Sequence, residues 1–228
     1  MDTNIIKICH GSENIIEKPD FAKGKTTNDY GRGFYCTESV ELAKEWACSR
    51  ANDGYANIYE LDTSGLNILR LNSPPYHVLN WLAVLADNRT YWERSAISEE
   101  AKNYLREHFL VDISPYDIII GYRADDSYFT FAKNFVANGI SLRQLQEAMR
   151  LGKLGEQIVL KSRQAFTQLH FLGYEPASSE IYFAKKTARD KNAKAEYRER
   201  VRRMPNKNDL LMIDIMREGM ENGDPRLL

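Results

Sequence analysis

Cysteine is scarce in this chain. Cys9, Cys36 and Cys48 are its three cysteines; they form no CxxC pair, have no histidine at metal spacing and are odd in number, so neither a disulfide framework nor a zinc site is expected. Histidine is almost as sparse, and His77, His108 and His170 share no ligand spacing, which reads as structural and predicts no metal. Net charge is nearly absent: 31 Lys and Arg stand against 32 Asp and Glu, which excludes a generally polycationic nucleic-acid binder and leaves room only for a local patch. Long apolar runs are missing as well. The N-terminal MDTNIIKICHG is interrupted by Lys7, and nowhere does the chain reach the roughly 18 apolar residues of a membrane span. Together these absences predict a protein of a reducing, cytoplasmic compartment that has no membrane partner.

Enough apolar residues are present to build a core, and the length suits one large domain carrying an insertion. Weak alternation over Ile5–Cys9 and the stretch Gly31–Cys36 read as strands, and Ser39–Cys48 has helical apolar spacing. Ala56–Leu61 supplies another strand. After Pro74 and Pro75, VLNWLAVLADN and EEAKNYLREHF read as two helices, with Ser98 placed to cap the second. YDIIIG (116–121) is a buried-strand candidate, and Ser141 with Gln144 forms a capping box for LRQLQEAMRLG. QIVL (157–160) is a further strand, which LHFLGY (169–174) either pairs with or lies beside. The expectation is an α+β fold with a domain over residues 1–184, a helical insertion at about 74–112 and a helical tail over 185–228. Residues 185–207 hold ten Lys and Arg against three Asp and Glu, most simply a solvated helix face, though Arg198, Arg200, Arg202 and Arg203 also suit nucleic-acid phosphates.

Chemistry concentrates near the N-terminus. The first strand ends in His10-Gly11-Ser12, and Gly31-Arg32-Gly33-Phe34-Tyr35 follows before the helix ESVELAKEWA. A glycine between His and Ser leaves backbone N–H and C=O groups open to the close approach of a flat amide ligand. Tyr35 and Trp46 offer ring faces for stacking, each contact adding about 0.5–1.5 kcal/mol beyond burial.

HGS and GRGFYCTESVELAKEW resemble the first two motifs of poly(ADP-ribose) polymerases, in which a stacking aromatic follows the motif Tyr by eleven residues, the spacing of Trp46 from Tyr35. The chain also resembles a bacterial domain family, long labelled only as of unknown function, that has been placed in the ADP-ribosyltransferase superfamily. Its closing strand is matched by Lys153-Leu154-Gly155-Glu156-Gln157, with Glu156 where that family usually has Asn. The resemblance implies an ADP-ribosyltransferase-like split β-sheet core and NAD as substrate. His10 would bond the adenosine ribose, the Gly11 backbone would clamp the nicotinamide carboxamide with help from Ser12, and Tyr35 and Trp46 would sandwich the ring. Gln157 falls where the polymerases have their catalytic Glu. Asp29 and Arg32 lie in the loop entering the second motif, where Arg32 would meet the pyrophosphate by charge-assisted hydrogen bonds, with solvent exposure of the loop the equal alternative.

Two departures matter. Ala43 stands where the polymerases place a Ser that helps hold the carboxamide, and Gln157 is no carboxylate, so Glu156 is the nearest group able to deprotonate an acceptor. Adjacent strand residues face opposite ways, so both cannot enter one pocket without a bulge. Asp125-Asp126 reads as a helix cap or, by resemblance, as an acceptor-side element. The implied activity is transfer of a single ADP-ribose to a macromolecular acceptor, protein or nucleic acid, as in a bacterial toxin of a toxin–antitoxin pair or an effector. Alternatives are an NAD glycohydrolase and a degenerate NAD- or ADP-ribose-binding module. The apolar tail LLMIDIM would pack on its own domain or on a partner such as an antitoxin.

Overall fold

The computed structural model describes residues 4–89, 95–124, 126–151, 155–201, 206 and 208–227, with the backbone alone for Asp126, Arg200 and Val201. Of the residues singled out above, Asp125, Lys153, Leu154, Arg202 and Arg203 lie outside these described residues. The fold is α+β, with two sheets. The first has the order β1 (Ile5–Ser12), β3 (Gly54–Asp62), β7 (Leu169–Ala177), paired antiparallel throughout. The second has the order β2 (Phe34–Cys36), β6 (Glu156–Leu160), β5 (Ile118–Tyr122), β4 (Ile68–Arg70), with β4 and β5 parallel and the other pairs antiparallel. An antiparallel bridge joins them: Cys9 N–H donates to the Thr37 carbonyl at 2.7 Å, and Thr37 N–H returns the bond to Cys9 at 2.9 Å. That bridge brings the end of β1 alongside β2.

Helix α1 (Val40–Ala47) is started by Ser39, whose hydroxyl accepts from Leu42 N–H. Helices α2 (Val78–Asn88) and α3 (Ala96–His108) stand between β4 and β5, where a helical insertion is expected. Helix α2 is buried from Val78 to Ala86, which its almost unbroken apolar sequence requires. Ser95, not Ser98, caps α3; Ser98 lies one turn in, its N–H donating to Ser95 Oγ. Helices α4 (Asp126–Val136) and α5 (Leu142–Ala148) follow β5, and α5 starts with the Ser141–Gln144 capping box. A short α6 (Arg163–Thr167) leads into β7, after which α7 (Ser179–Glu196) and α8 (Met212–Arg217) complete the α-helices among the described residues.

One core lies under the helices, around Trp81, Leu82, Phe131 and Phe135. A smaller one fills the space between the sheets, with Ile8, Cys36, Tyr59, Ile118, Ile158 and Leu160. At roughly 1.5–3 kcal/mol for each large apolar side chain removed from water, these two clusters supply the main stabilisation. The tail contributes to the first of them: Tyr197, Met212, Ile215 and Met220 are buried in it, and Tyr197 stacks on Phe131 at 4.4 Å. The apolar part of LLMIDIM therefore packs on its own chain. Strand β7 pairs with β3, so LHFLGY lies in the other sheet from QIVL. The strand expected over Gly31–Cys36 begins only at Phe34, because Gly31 has φ of 72° and closes a turn back to the Asn28 carbonyl.

Candidate ligand cleft

A cleft of about 820 Å³ opens where β1, β2, β6 and α1 converge. His10, Gly11 and Ser12 line it from the end of β1, Phe34 and Tyr35 from β2, and Gly33 from the turn just before it. Trp46 contributes from α1 and Gln157 from the start of β6. Two of the residues marked by sequence stand elsewhere. Arg32 is exposed and borders a different hollow with Lys161, and Glu156 is exposed, with Asn72 Nδ2 donating to its carboxylate at 3.3 Å.

Strand register explains which of the two adjacent polar residues enters. Tyr35 pairs with Val159 across the β2–β6 ladder, so Tyr35, Val159 and Gln157 share one sheet face, while Glu156 shares the other with Ile158 and Leu160. Gln157 is 4% exposed.

His10 is held by the bridge between the sheets. Its Nδ1 lies 2.7 Å from the Tyr35 carbonyl, and a carbonyl can only accept, so Nδ1 carries the proton and Nε2 offers a lone pair. The imidazole also rests on Phe34, with ring centroids 4.3 Å apart. Burial pushes the His10 pKa below the ordinary 6.5, against a smaller opposing effect of the bond to Tyr35, and this keeps the ring neutral. Tyr35 donates its hydroxyl to the Gly31 carbonyl at 2.5 Å and accepts from Tyr30 N–H at 3.1 Å. Burial raises its pKa well above the usual range, so the phenol stays a donor and fixes the turn before β2.

Trp46 presents its indole to the cleft, with the guanidinium carbon of Arg123 4.0 Å from the ring centroid. Its Nε1–H is buried with no hydrogen-bond partner among the described residues, a donor that would gain about 1–3 kcal/mol from meeting an acceptor. Gly11 has a packing reason of its own. A Cβ there would lie 2.0 Å from the Ala43 carbonyl oxygen and 2.7 Å from Ala47 N, so only glycine lets α1 sit this close to β1.

A further buried polar group is one that sequence placed equally well in solvent. Asp29 is 5% exposed. Its Oδ1 accepts from Arg89 Nε at 2.8 Å and Nη2 at 2.5 Å, and its Oδ2 accepts from Ala124 N–H at 2.9 Å and Gln157 Nε2 at 3.4 Å. Arg89, Arg123, Lys18, Lys23 and Lys25 also line the cleft, against Asp20 and Asp29. Sequence inspection singled out none of these cations, since each is an ordinary residue in a loop or at a helix end. The long loop carrying the lysines is anchored by buried Asn57, whose Oδ1 accepts from Ile16 N–H at 2.8 Å, and by the Tyr59 hydroxyl, which donates to the Ile16 carbonyl.

Among the described residues no group of three or more His, Cys, Asp or Glu is arranged to hold a metal ion, and no helix is long and apolar enough to cross a membrane. Fold and cleft together define an α+β protein whose candidate ligand site forms where two sheets meet. The chain belongs to the family described as protein of unknown function (DUF3990), whose model matches residues 6–171. That span contains every residue of the cleft. No curated protein and no solved structure matches the chain.

Proposed function

We propose that the chain is an NAD-consuming mono-ADP-ribosyltransferase with an ADP-ribosyltransferase-like split-sheet fold. The observation that carries this reading is the convergence of His10, Gly11, Ser12, Tyr35, Trp46 and Gln157 in one cleft. These are the residues for which resemblance to the polymerase motifs implied NAD contacts, and four separate elements deliver them.

In this reading Tyr35 and Trp46 hold the nicotinamide ring between them, and the Gly11 backbone holds its carboxamide. The neutral His10 ring offers Nε2 to a ribose hydroxyl, because Nδ1–H is already committed to the Tyr35 carbonyl. The lysines along the loop suit the two negative charges of the pyrophosphate. The C–N glycosidic bond breaks with its electron pair going to nicotinamide, which leaves as a neutral ring, and the acceptor adds to the ribose carbon. A cationic, oxocarbenium-like transition state needs little push from a nucleophile, so positioning carries most of the acceleration. Gln157 accepts from a ribose hydroxyl and orients the sugar without adding charge. This supports transfer of one ADP-ribose unit and not chain growth.

The test is incubation of the purified protein with labelled NAD, with and without cell lysate, following free nicotinamide and label on protein and nucleic-acid fractions. Label on either fraction names the acceptor class; nicotinamide release alone points to a glycohydrolase; binding alone reduces the protein to a sensor. Gln157→Ala is expected to abolish labelling while NAD binding survives, and Glu156→Gln to leave labelling within about twofold of wild type, because its carboxylate lies outside the cleft. Full activity of the Gln157 variant refutes its role.

A further inference from the structure

We infer that Asp29 is a positioning residue of the cleft, and that glutamine stands at position 157 because an aspartate faces it there. The second half of this inference rests on the NAD reading; the first half does not.

A carboxylate can only accept hydrogen bonds. The Gln157 amide therefore turns its Nε2 toward Asp29 Oδ2, 3.4 Å away, and this fixes the side chain with Oε1 as its acceptor face. Asp29 is itself immobilised. Arg89 at the end of α2 grips Oδ1 twice, and the Ala124 N–H after β5 takes Oδ2, so the carboxylate links four separate parts of the chain. A glutamine free to rotate would offer N–H and C=O to a ribose hydroxyl with similar ease; one held by Asp29 offers only the oxygen. Arg89 acts on Gln157 through Asp29 and belongs to the same device.

The same geometry excludes glutamate at 157. Its carboxylate would stand about 3.4 Å from that of Asp29, with both groups nearly buried, and two like charges so placed cannot both ionise cheaply. One of them takes a proton. Gln157→Glu is then expected to work only in its singly protonated form, in which the acid O–H replaces Nε2–H as donor to Asp29.

Three variants test this by nicotinamide release from NAD, each checked for folding by its melting curve. Asp29→Asn is expected to lower kcat by about 10²-fold with KM changed less than about threefold, since misorientation of one group and not loss of binding is the defect. Gln157→Glu is expected to be impaired at neutral pH and to recover as pH falls, which wild type does not do. The double variant D29N/Q157E restores a donor–acceptor pair of reversed polarity and is expected to regain at least about tenfold over either single change. The side-chain amide resonance of Gln157, assigned with Q157A, is expected to shift in Asp29→Asn. Wild-type kinetics with an unmoved amide resonance in Asp29→Asn, or a flat pH profile in Gln157→Glu, overturns the proposal. If Asp29→Asn does not fold, the Gln157→Glu profile decides. If wild-type protein releases no nicotinamide, the transferase reading fails, and the positioning role stands or falls on the resonance alone.

Discussion

Replacing Gly11 by alanine adds one methyl group to the tightest point of the cleft. That carbon would lie 2.0 Å from the Ala43 carbonyl oxygen, 2.7 Å from Ala47 N and 2.9 Å from Trp46 Cβ, where ordinary contact begins at 3.4 Å. Two of the three obstacles are backbone atoms of α1, so no rotamer change relieves them and the helix must withdraw by about 1 Å. Overpacking of this kind costs about 1–3 kcal/mol, and a rigid backbone obstacle puts the change at the upper end. For a chain of this length about 3 kcal/mol corresponds to a fall in Tm of about 6–12 °C. The withdrawal also carries Trp46 away from Tyr35, and a displacement of about 1 Å in a positioning group costs about 10² in rate. Calorimetry of Gly11→Ala, with the rate of nicotinamide release from NAD measured alongside, checks both. A Tm within about 1 °C of wild type would refute the steric argument, whatever the enzyme activity.

The folded-state pKa of His10 is depressed by burial, and so is that of His77, against a weaker opposing bond to Asn222. The unfolded chain therefore binds protons more readily than the folded one below the ordinary histidine value of about 6.5. Stability is complete above that pH and is lost as pH falls from it toward the two depressed values. Melting curves between about pH 7.5 and 5.5 should show this fall, with a shallower slope in His10→Gln; a rising Tm would contradict the burial argument. Lys161 donates Nζ to the carbonyls of Tyr30 at 2.5 Å and Arg32 at 2.6 Å, which holds down the turn entering β2. Lys161→Met should destabilise by about 1–3 kcal/mol and speed amide exchange at Gly31 and Gly33, since two carbonyls lose a charged donor; unchanged exchange there would show that the turn holds itself.

Local signals in the sequence were read well wherever one element supplies both the signal and its consequence. Ser39 caps α1, Ser141 and Gln144 form their box, and β1, β3, β5 and β6 lie where alternation and apolar runs put them. Errors arose where two readings were locally equivalent. Ser95 and Ser98 are both good caps, and only the fold decides that Ser98 is buried one turn inside α3. β4 and α6 are too short, at three and five residues, to carry a period. Gly11 was legible as a required glycine but for another reason, since the helix that forbids a side chain there begins almost thirty residues later. Asp29 was the least legible: its partners Arg89 and Gln157 lie 60 and 128 residues away, and no local pattern distinguishes a buried loop aspartate from a solvated one.

Register is the step that turns these local readings into a site. Alternation alone says that one of Glu156 and Gln157 faces the cleft, without saying which. The choice is made by the apolar residues that follow. Ile158 and Leu160 enter the core between the sheets with Ile8 and Tyr59, while Val159 enters the helical core with Trp81 and Phe131. A one-residue slip of β6 would exchange these sets and bring Glu156 to the face of Tyr35. It would also set a second carboxylate near Asp29 and strip Arg89, Ala124 and Gln157 of their common arrangement. Core packing and the polar network thus favour the same register for independent reasons. A polar residue that is 4% exposed at a strand end is then a consequence of the fold, held by the same register that pairs Tyr35 with Val159.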